Sequence, residues 1–180
     1  MFETFLDGRL IIKTGNIAAQ DTDAIVNAAN RTLLGGGGVD GAIHDAGGEQ
    51  ILHECKEIRR TLYPQGLPTG QTVITSGGNL SARYVIHTVG PIYGIDKVAE
   101  AGQLADCYKN SLALAVEKGL RSVAFPSIST GAFGYPKDKA ALISSQTVKD
   151  FLDSDEQIKE VRFVFFSEYD ARTFLQSKLF

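Results

Sequence analysis

Short runs of β-branched and aromatic residues recur along the chain, separated by longer stretches of helical spacing. Leu10-Ile11-Ile12, Ala24-Ile25-Val26, Thr72-Val73-Ile74, Tyr84-Val85-Ile86, Val123-Ala124-Phe125 and the run from Val161 to Phe166 predict strands. Several are apolar at consecutive rather than alternate positions, the pattern of central strands covered on both faces. Between them, residues 39–46, 49–60, 99–118, 137–152 and 170–179 predict helices. In the third of these Leu104, Tyr108, Leu112 and Val116 fall on one face, and Gly119 supplies its stop. Pro136 sits where a helix tolerates proline, at the entry of the fourth. No repeat or linker-like stretch interrupts the alternation. The expectation is one domain over residues 1–180, an α/β sandwich with a mixed, mainly parallel sheet.

Composition narrows the function classes. With 180 residues, 43% of them hydrophobic, the chain can bury roughly 70% of its unfolded surface in one core, which excludes disorder as a description of the whole. Its 18 basic residues stand against 21 acidic ones, a net charge of −3. A duplex nucleic-acid binder needs a clustered basic excess that this chain lacks, although backbone N–H groups can still hold an anion. No apolar run approaches the roughly 20 residues of a membrane span, and Met1-Phe2-Glu3-Thr4-Phe5 opens without a basic segment, so a cytoplasmic location and no membrane partner are expected. Cys55 and Cys107 lie far apart with no metal-ligand spacing; they read as small buried hydrophobes, with no metal site.

In open α/β sheets ligands gather beyond the carboxyl ends of the strands. After Ala24-Ile25-Val26 come Asn27-Ala28-Ala29-Asn30, the run Gly35-Gly36-Gly37-Gly38, and Val39-Asp40-Gly41-Ala42-Ile43-His44 entering a helix. Glycines followed by a helix start suit a phosphate, while the absence of Gly-Lys-Ser or Gly-Lys-Thr rules out a Walker loop. The competing reading is a flexible surface loop. The segment Pro126-Ser127-Ile128-Ser129-Thr130-Gly131-Ala132-Phe133-Gly134-Tyr135-Pro136 repeats the design after another strand. Phe133 and Tyr135 offer flat faces to a sugar or base, though Tyr135 reads better as a core residue at a helix entry. Asp40 and His44 are four apart and share a helix face. Asp40 stands in the first turn, where a carboxylate either caps the helix or orients a water. His44 reads as a hydrogen-bonded structural residue, and His87 likewise, at a strand end. Phe166 either stacks on an aromatic ligand or plugs the sheet edge.

Together, Ile25-Val26-Asn27-Ala28-Ala29-Asn30, the run from Gly35 through His44 to Gly48, His87-Thr88-Val89-Gly90-Pro91 and the segment from Pro126 to Pro136 resemble the macrodomain family, most closely its MacroD-type branch. The resemblance spans essentially the whole chain. It implies a three-layer α/β/α sandwich that binds ADP-ribose between two loops. The implied activity is hydrolysis of the ester joining ADP-ribose to a Glu or Asp side chain, and also deacetylation of O-acetyl-ADP-ribose, without a metal or organic cofactor. Implied partners are ADP-ribose, ADP-ribosylated proteins and O-acetyl-ADP-ribose, with the chain a monomer. By the same resemblance Asn30 bonds the distal ribose and Asp40 holds that ribose and positions the attacking water. Phe133 packs beside the ribose. Asn27, Ala29, Gly37, Gly38, Val39, Ser129, Thr130, Gly131 and Ala132 line the substrate, chiefly at its phosphates. Ile17 and Phe166 frame the adenine, with Tyr169 as the rival of Phe166. Asn16 stands where the family commonly has an aspartate, so its bond to the adenine amino group lacks charge assistance. A non-catalytic ADP-ribose reader and an RNA- or RNase-associated regulator are the alternative functions. Asp40 with Asn30 speaks against the first, since a reader needs no carboxylate beside the ribose, and the acidic charge balance against the second.

Overall fold

The computed structural model describes residues 1–180. In chain order the elements are β1 (Phe2–Phe5), β2 (Leu10–Thr14), a 3-10 turn (Ile17–Ala19), β3 (Ala24–Ala29), α1 (Gly38–Gly47), α2 (Glu49–Thr61), β4 (Thr72–Ser76), β5 (Tyr84–Val89), α3 (Glu100–Glu117), β6 (Ser122–Phe125), α4 (Lys137–Ser154), β7 (Glu160–Phe165) and α5 (Glu168–Ser177). The strands form one sheet in the order β1-β2-β7-β6-β3-β5-β4. β2, β7, β6, β3 and β5 run parallel, while β1 and β4 close the two edges antiparallel.

Successive residues of the central strands serve opposite faces, as strand geometry requires. Val26, Val123, Phe125, Val161 and Phe163 pack toward α3, α4 and α5, whose Leu104, Tyr108, Val148 and Phe174 complete that core. Ile25, Ala124, Val85 and Val164 face the other way, against Ile43 of α1 and Ile51 and Cys55 of α2. Three layers result, which explains the unbroken apolar runs: both faces of each central strand are covered. Phe163 lies at the centre of an aromatic cluster, its ring 4.6 Å from Phe174, 5.9 Å from Tyr108 and 6.1 Å from Phe125. Tyr135 is buried against the Tyr93 ring, so the core reading holds for it. Both cysteines are free and buried. No helix is long and apolar enough to cross a membrane.

Apart from small shifts at helix ends and the 3-10 turn, the structure differs from the sequence expectation at three places. β1 escaped it because Phe2, Glu3 and Thr4 are all exposed and carry no buried period; its ladder with β2 holds it there. α5 starts two residues early, where the Ser167 hydroxyl accepts the Asp170 N–H at 3.1 Å as a helix cap. His87 lies inside β5, not at its end, directly opposite Asn27 on β3.

Candidate functional site

Because five neighbouring strands are parallel, their carboxyl ends share one edge of the sheet, and a cleft of about 320 Å³ opens there. One wall is the loop from β3 into α1. Its Gly38 adopts φ +57°, a conformation that side chains disfavour. The start of α1 has no side-chain cap, so the N–H groups of its first turn remain available to an anion. The facing wall is the loop after β6, held by the Tyr135 N–H on the Ser129 carbonyl and the Tyr93 N–H on the Phe133 carbonyl, both 2.9 Å. Ser129 sits at φ +66°, an uncommon conformation for a non-glycine residue and one that clusters at functional sites. Gly90, at the end of β5, leaves the room for it: a Cβ there would come within 2.1 Å of the Ser129 Oγ.

Of the expected residues, the cleft brings together Ala29, Asn30, Gly37, Gly38, Val39, Asp40, Ser129, Gly131, Ala132 and Phe133. It also takes in Ala28, Gly36, Gly90, Ser127 and Ile128, which sequence reasoning left out. The other expected residues lie elsewhere. Asn27 is fully buried beneath the cleft, its Nδ2 donating to Asp40 Oδ1 at 2.7 Å. The Thr130 hydroxyl turns inward to the Ser127 carbonyl and hydroxyl, at 3.0 and 2.8 Å. Asn16 caps the 3-10 turn by accepting the Ala18 N–H at 2.9 Å, and Ile17 is buried in the core beside it. Phe166 is 94% and Tyr169 73% exposed, so Phe166 plugs no edge. Asn16 and Phe166 follow adjacent parallel strands, where Thr14 pairs with Phe165, which places them side by side along the sheet edge.

Two side chains point to a ligand. Asp40 and Ser129, only 5% and 6% exposed, stand on opposite walls, and Asp40 Oδ2 and Ser129 Oγ have no hydrogen-bond partner in the protein. Buried polar groups are rarely left so, because desolvation without a bond costs about 1–3 kcal/mol. Asn30 is already engaged, giving Nδ2 to the Gly35 carbonyl at 3.0 Å and accepting the Thr32 N–H at 3.0 Å, and so it pins the glycine loop. The His44 Nε2 approaches Asp40 Oδ1 to 3.4 Å but forms no aligned hydrogen bond, contrary to the structural bond expected for it.

Below this floor, burial, with the neighbouring His44 adding to it, pushes the His87 imidazole down from 6.5 to about 3. The unfolded ring takes up a proton as pH falls through the ordinary value, while the folded ring stays neutral. Its contribution to stability is therefore whole above the unfolded value and is lost as pH falls toward the folded one. Urea unfolding at pH 5 is expected to show about 2 kcal/mol less from this group than at pH 7, and His87→Asn to remove that part of the slope. A slope unchanged in the variant would contradict the assignment.

A family model described as Macro domain matches residues 26–144. A Macro domain-containing protein of Caldanaerobacter subterraneus subsp. tengcongensis is 54% identical over 160 residues, covering 89% of this chain and 90% of its own. Among solved structures, a mutant of the Oceanobacillus iheyensis macrodomain with ADPR (ADP-ribose) aligns with a TM-score of 0.93 and 46% identity, over 98% of this chain and 95% of that one. The Trypanosoma brucei macrodomain in complex with ADP-ribose aligns with a TM-score of 0.86 and 38% identity, over 94% of this chain and 68% of that one. With the fold, the two loops and the matched residues in agreement, this chain belongs to the Macro domain family.

Proposed function

We propose that the cleft binds ADP-ribose and that the protein is a mono-ADP-ribosyl-protein hydrolase, releasing ADP-ribose from Glu and Asp side chains and accepting O-acetyl-ADP-ribose as a second substrate. The observation that carries this reading is the pair of buried, unpartnered atoms on facing walls, Asp40 Oδ2 and Ser129 Oγ. A reader of ADP-ribose needs only the phosphate-binding loops, whereas a free carboxylate oxygen beside the distal ribose also serves to orient a water. Binding of ADP-ribose by two structural relatives supports the choice of ligand.

In this reading the first turn of α1 and the Ser129 loop close on the diphosphate from two sides, supplying N–H groups and a hydroxyl. Phe133 packs on the distal ribose. Asn30 holds the glycine loop and gives its remaining amide hydrogen to that ribose. Asp40 Oδ2 orients a water toward the anomeric carbon. As the water oxygen bonds to that carbon, the bond to the ester oxygen breaks and its electron pair leaves with the side-chain carboxylate. That group departs as an anion and needs no acid, and the water proton passes to a phosphate oxygen of the substrate; in O-acetyl-ADP-ribose the water adds instead to the acetyl carbonyl, whose ester C–O bond breaks to give acetic acid and the free ribose hydroxyl. Beyond the cleft, along the same edge of the sheet, Phe166 and Asn16 frame the adenine. Phe166→Ala is expected to weaken ADP-ribose binding about tenfold, within the range for loss of one base stack. Tyr169→Ala leaves it unchanged, and the reverse order in titration calorimetry would move the adenine to Tyr169.

The whole reading is tested with a protein carrying mono-ADP-ribose on glutamate. Time-dependent release of free ADP-ribose is expected. A preparation that binds ADP-ribose but releases none from this substrate would make the protein a reader.

A further inference from the structure

We propose that His87, buried beneath the cleft on β5, is a positioning residue that sets the orientation of the Asp40 carboxylate through the Asn27 amide. The proposal rests on the role given to Asp40 above. Asn27 and His87 face each other on adjacent parallel strands, and both are 0% exposed. The Asn27 Nδ2 lies 2.7 Å from Asp40 Oδ1 and 3.1 Å from His87 Nδ1. A carboxylate can only accept, so the amide must turn its nitrogen toward Asp40. The second amide hydrogen then meets His87 Nδ1, which must offer a lone pair, and the ring proton is left on Nε2. There it meets the Thr75 Oγ1 at 2.9 Å, whose hydroxyl donates onward to the Ser76 carbonyl at 3.0 Å. Every link therefore has one direction only. Donation runs from His87 through Thr75 to Ser76 on one side, and from Asn27 to both His87 and Asp40 on the other.

Two observations give this chain its consequence. The Asn27 Oδ1 has no partner, so the two bonds from Nδ2 are all that orient the amide. The Asp40 carboxylate is bonded through Oδ1 alone, which leaves Oδ2 buried and unpartnered, 3.1 Å from the position a Cβ on Gly36 of the cleft wall would take. A ring that failed to accept from Asn27 would free the amide to rotate and the free oxygen to turn with it. Burial keeps that ring neutral, so its lone pair is available throughout the ordinary pH range. Cys55, whose Sγ lies 3.8 Å from Nε2, adds packing; its thiol is pushed up to about 12 by burial and carries no charge into the chain.

Two substitutions separate positioning from mere packing. His87→Asn keeps an acceptor where Nδ1 stood and loses the Thr75 contact. His87→Gln reaches Thr75 but leaves the Asn27 hydrogen without an acceptor. We expect His87→Gln to lower kcat ten- to a hundredfold with KM and the Kd for ADP-ribose within a factor of two of wild type, and His87→Asn to recover most of the lost kcat. Equal losses in the two variants, in step with their thermal stability, would overturn the proposal. A second readout does not depend on hydrolysis. Nitrogen-15 NMR of the wild-type protein is expected to show His87 with a bare Nδ1 and a protonated Nε2 from pH 5 to 8, and the other tautomer or a titration near neutrality overturns the proposal. If the wild type releases no ADP-ribose, the reading of function has failed and not this one. The Asn27 side-chain amide signals are then compared: His87→Gln is expected to shift them and His87→Asn to leave them near their wild-type positions, and no shift in either variant overturns it.

Discussion

Asp40→Asn is expected to lower kcat for release of ADP-ribose from a glutamate-linked substrate by about 10²-fold or more, the size of effect that misplacing a reacting group by about 1 Å carries. The amide is nearly isosteric and can still accept the Asn27 hydrogen at the position of Oδ1, where the carboxylate now sits 2.7 Å from Nδ2. What changes is the unpartnered atom, Oδ2. Where Oδ2 accepts from water, an amide nitrogen donates to it and turns its lone pair away from the ribose. The diphosphate donors lie in the backbone of α1 and in the Ser129 loop and are untouched, so the Kd for ADP-ribose is expected to stay within a few-fold. A parallel loss of binding and turnover would place Asp40 in ligand capture, and an unchanged kcat would remove it from the chemistry.

Phe163→Ala is expected to cost about 3–5 kcal/mol of stability, as burial of a large ring in a packed core implies. The ring is 1% exposed and touches the rings of Tyr108, Phe125 and Phe174, from α3, β6 and α5. Its removal opens a cavity that those three elements cannot all close on. For a chain of this length the loss corresponds to a drop in Tm of about 10 °C, a large share of the roughly 5–15 kcal/mol that keeps a domain folded. Calorimetric unfolding measures it directly, and a fall of under 2 °C would mean that the layer repacks. Tyr108 makes the site sensitive to the same core, because its hydroxyl accepts the Ile128 N–H at 3.2 Å, at the root of the Ser129 loop. Folded Phe163→Ala protein is therefore expected to bind ADP-ribose more weakly than wild type.

The central strands were legible because each is buried on both sides and reads as an apolar run, and the helices because their periodicity faces one layer. β1 was not, since an exposed edge strand is held by backbone bonds that leave no trace in side-chain pattern. The same division runs through the candidate site. The glycines before α1 and the small residues around Ser129 announce a backbone that must bend, and Asp40 announces itself by its place in the first turn. Hidden from the sequence was whatever depends on register or close approach. Gly90 gives no cue of its own, yet the Ser129 side chain needs its missing Cβ. Thr130, placed among the phosphate contacts by the resemblance, spends its hydroxyl on Ser127. Asn27 and His87 are 60 residues apart, and only the pairing of β3 with β5 brings them together.

The function proposed for this chain rests on the cleft between the α1 loop and the Ser129 loop being an ADP-ribose site. Titration calorimetry of the wild-type protein with ADP-ribose tests that directly. Saturable one-to-one binding is expected, weakened when the Gly90 position is filled by Gly90→Ala, because a Cβ there would lie 2.1 Å from the Ser129 Oγ. Absence of binding by folded wild-type protein, or binding that Gly90→Ala leaves unchanged, would contradict it.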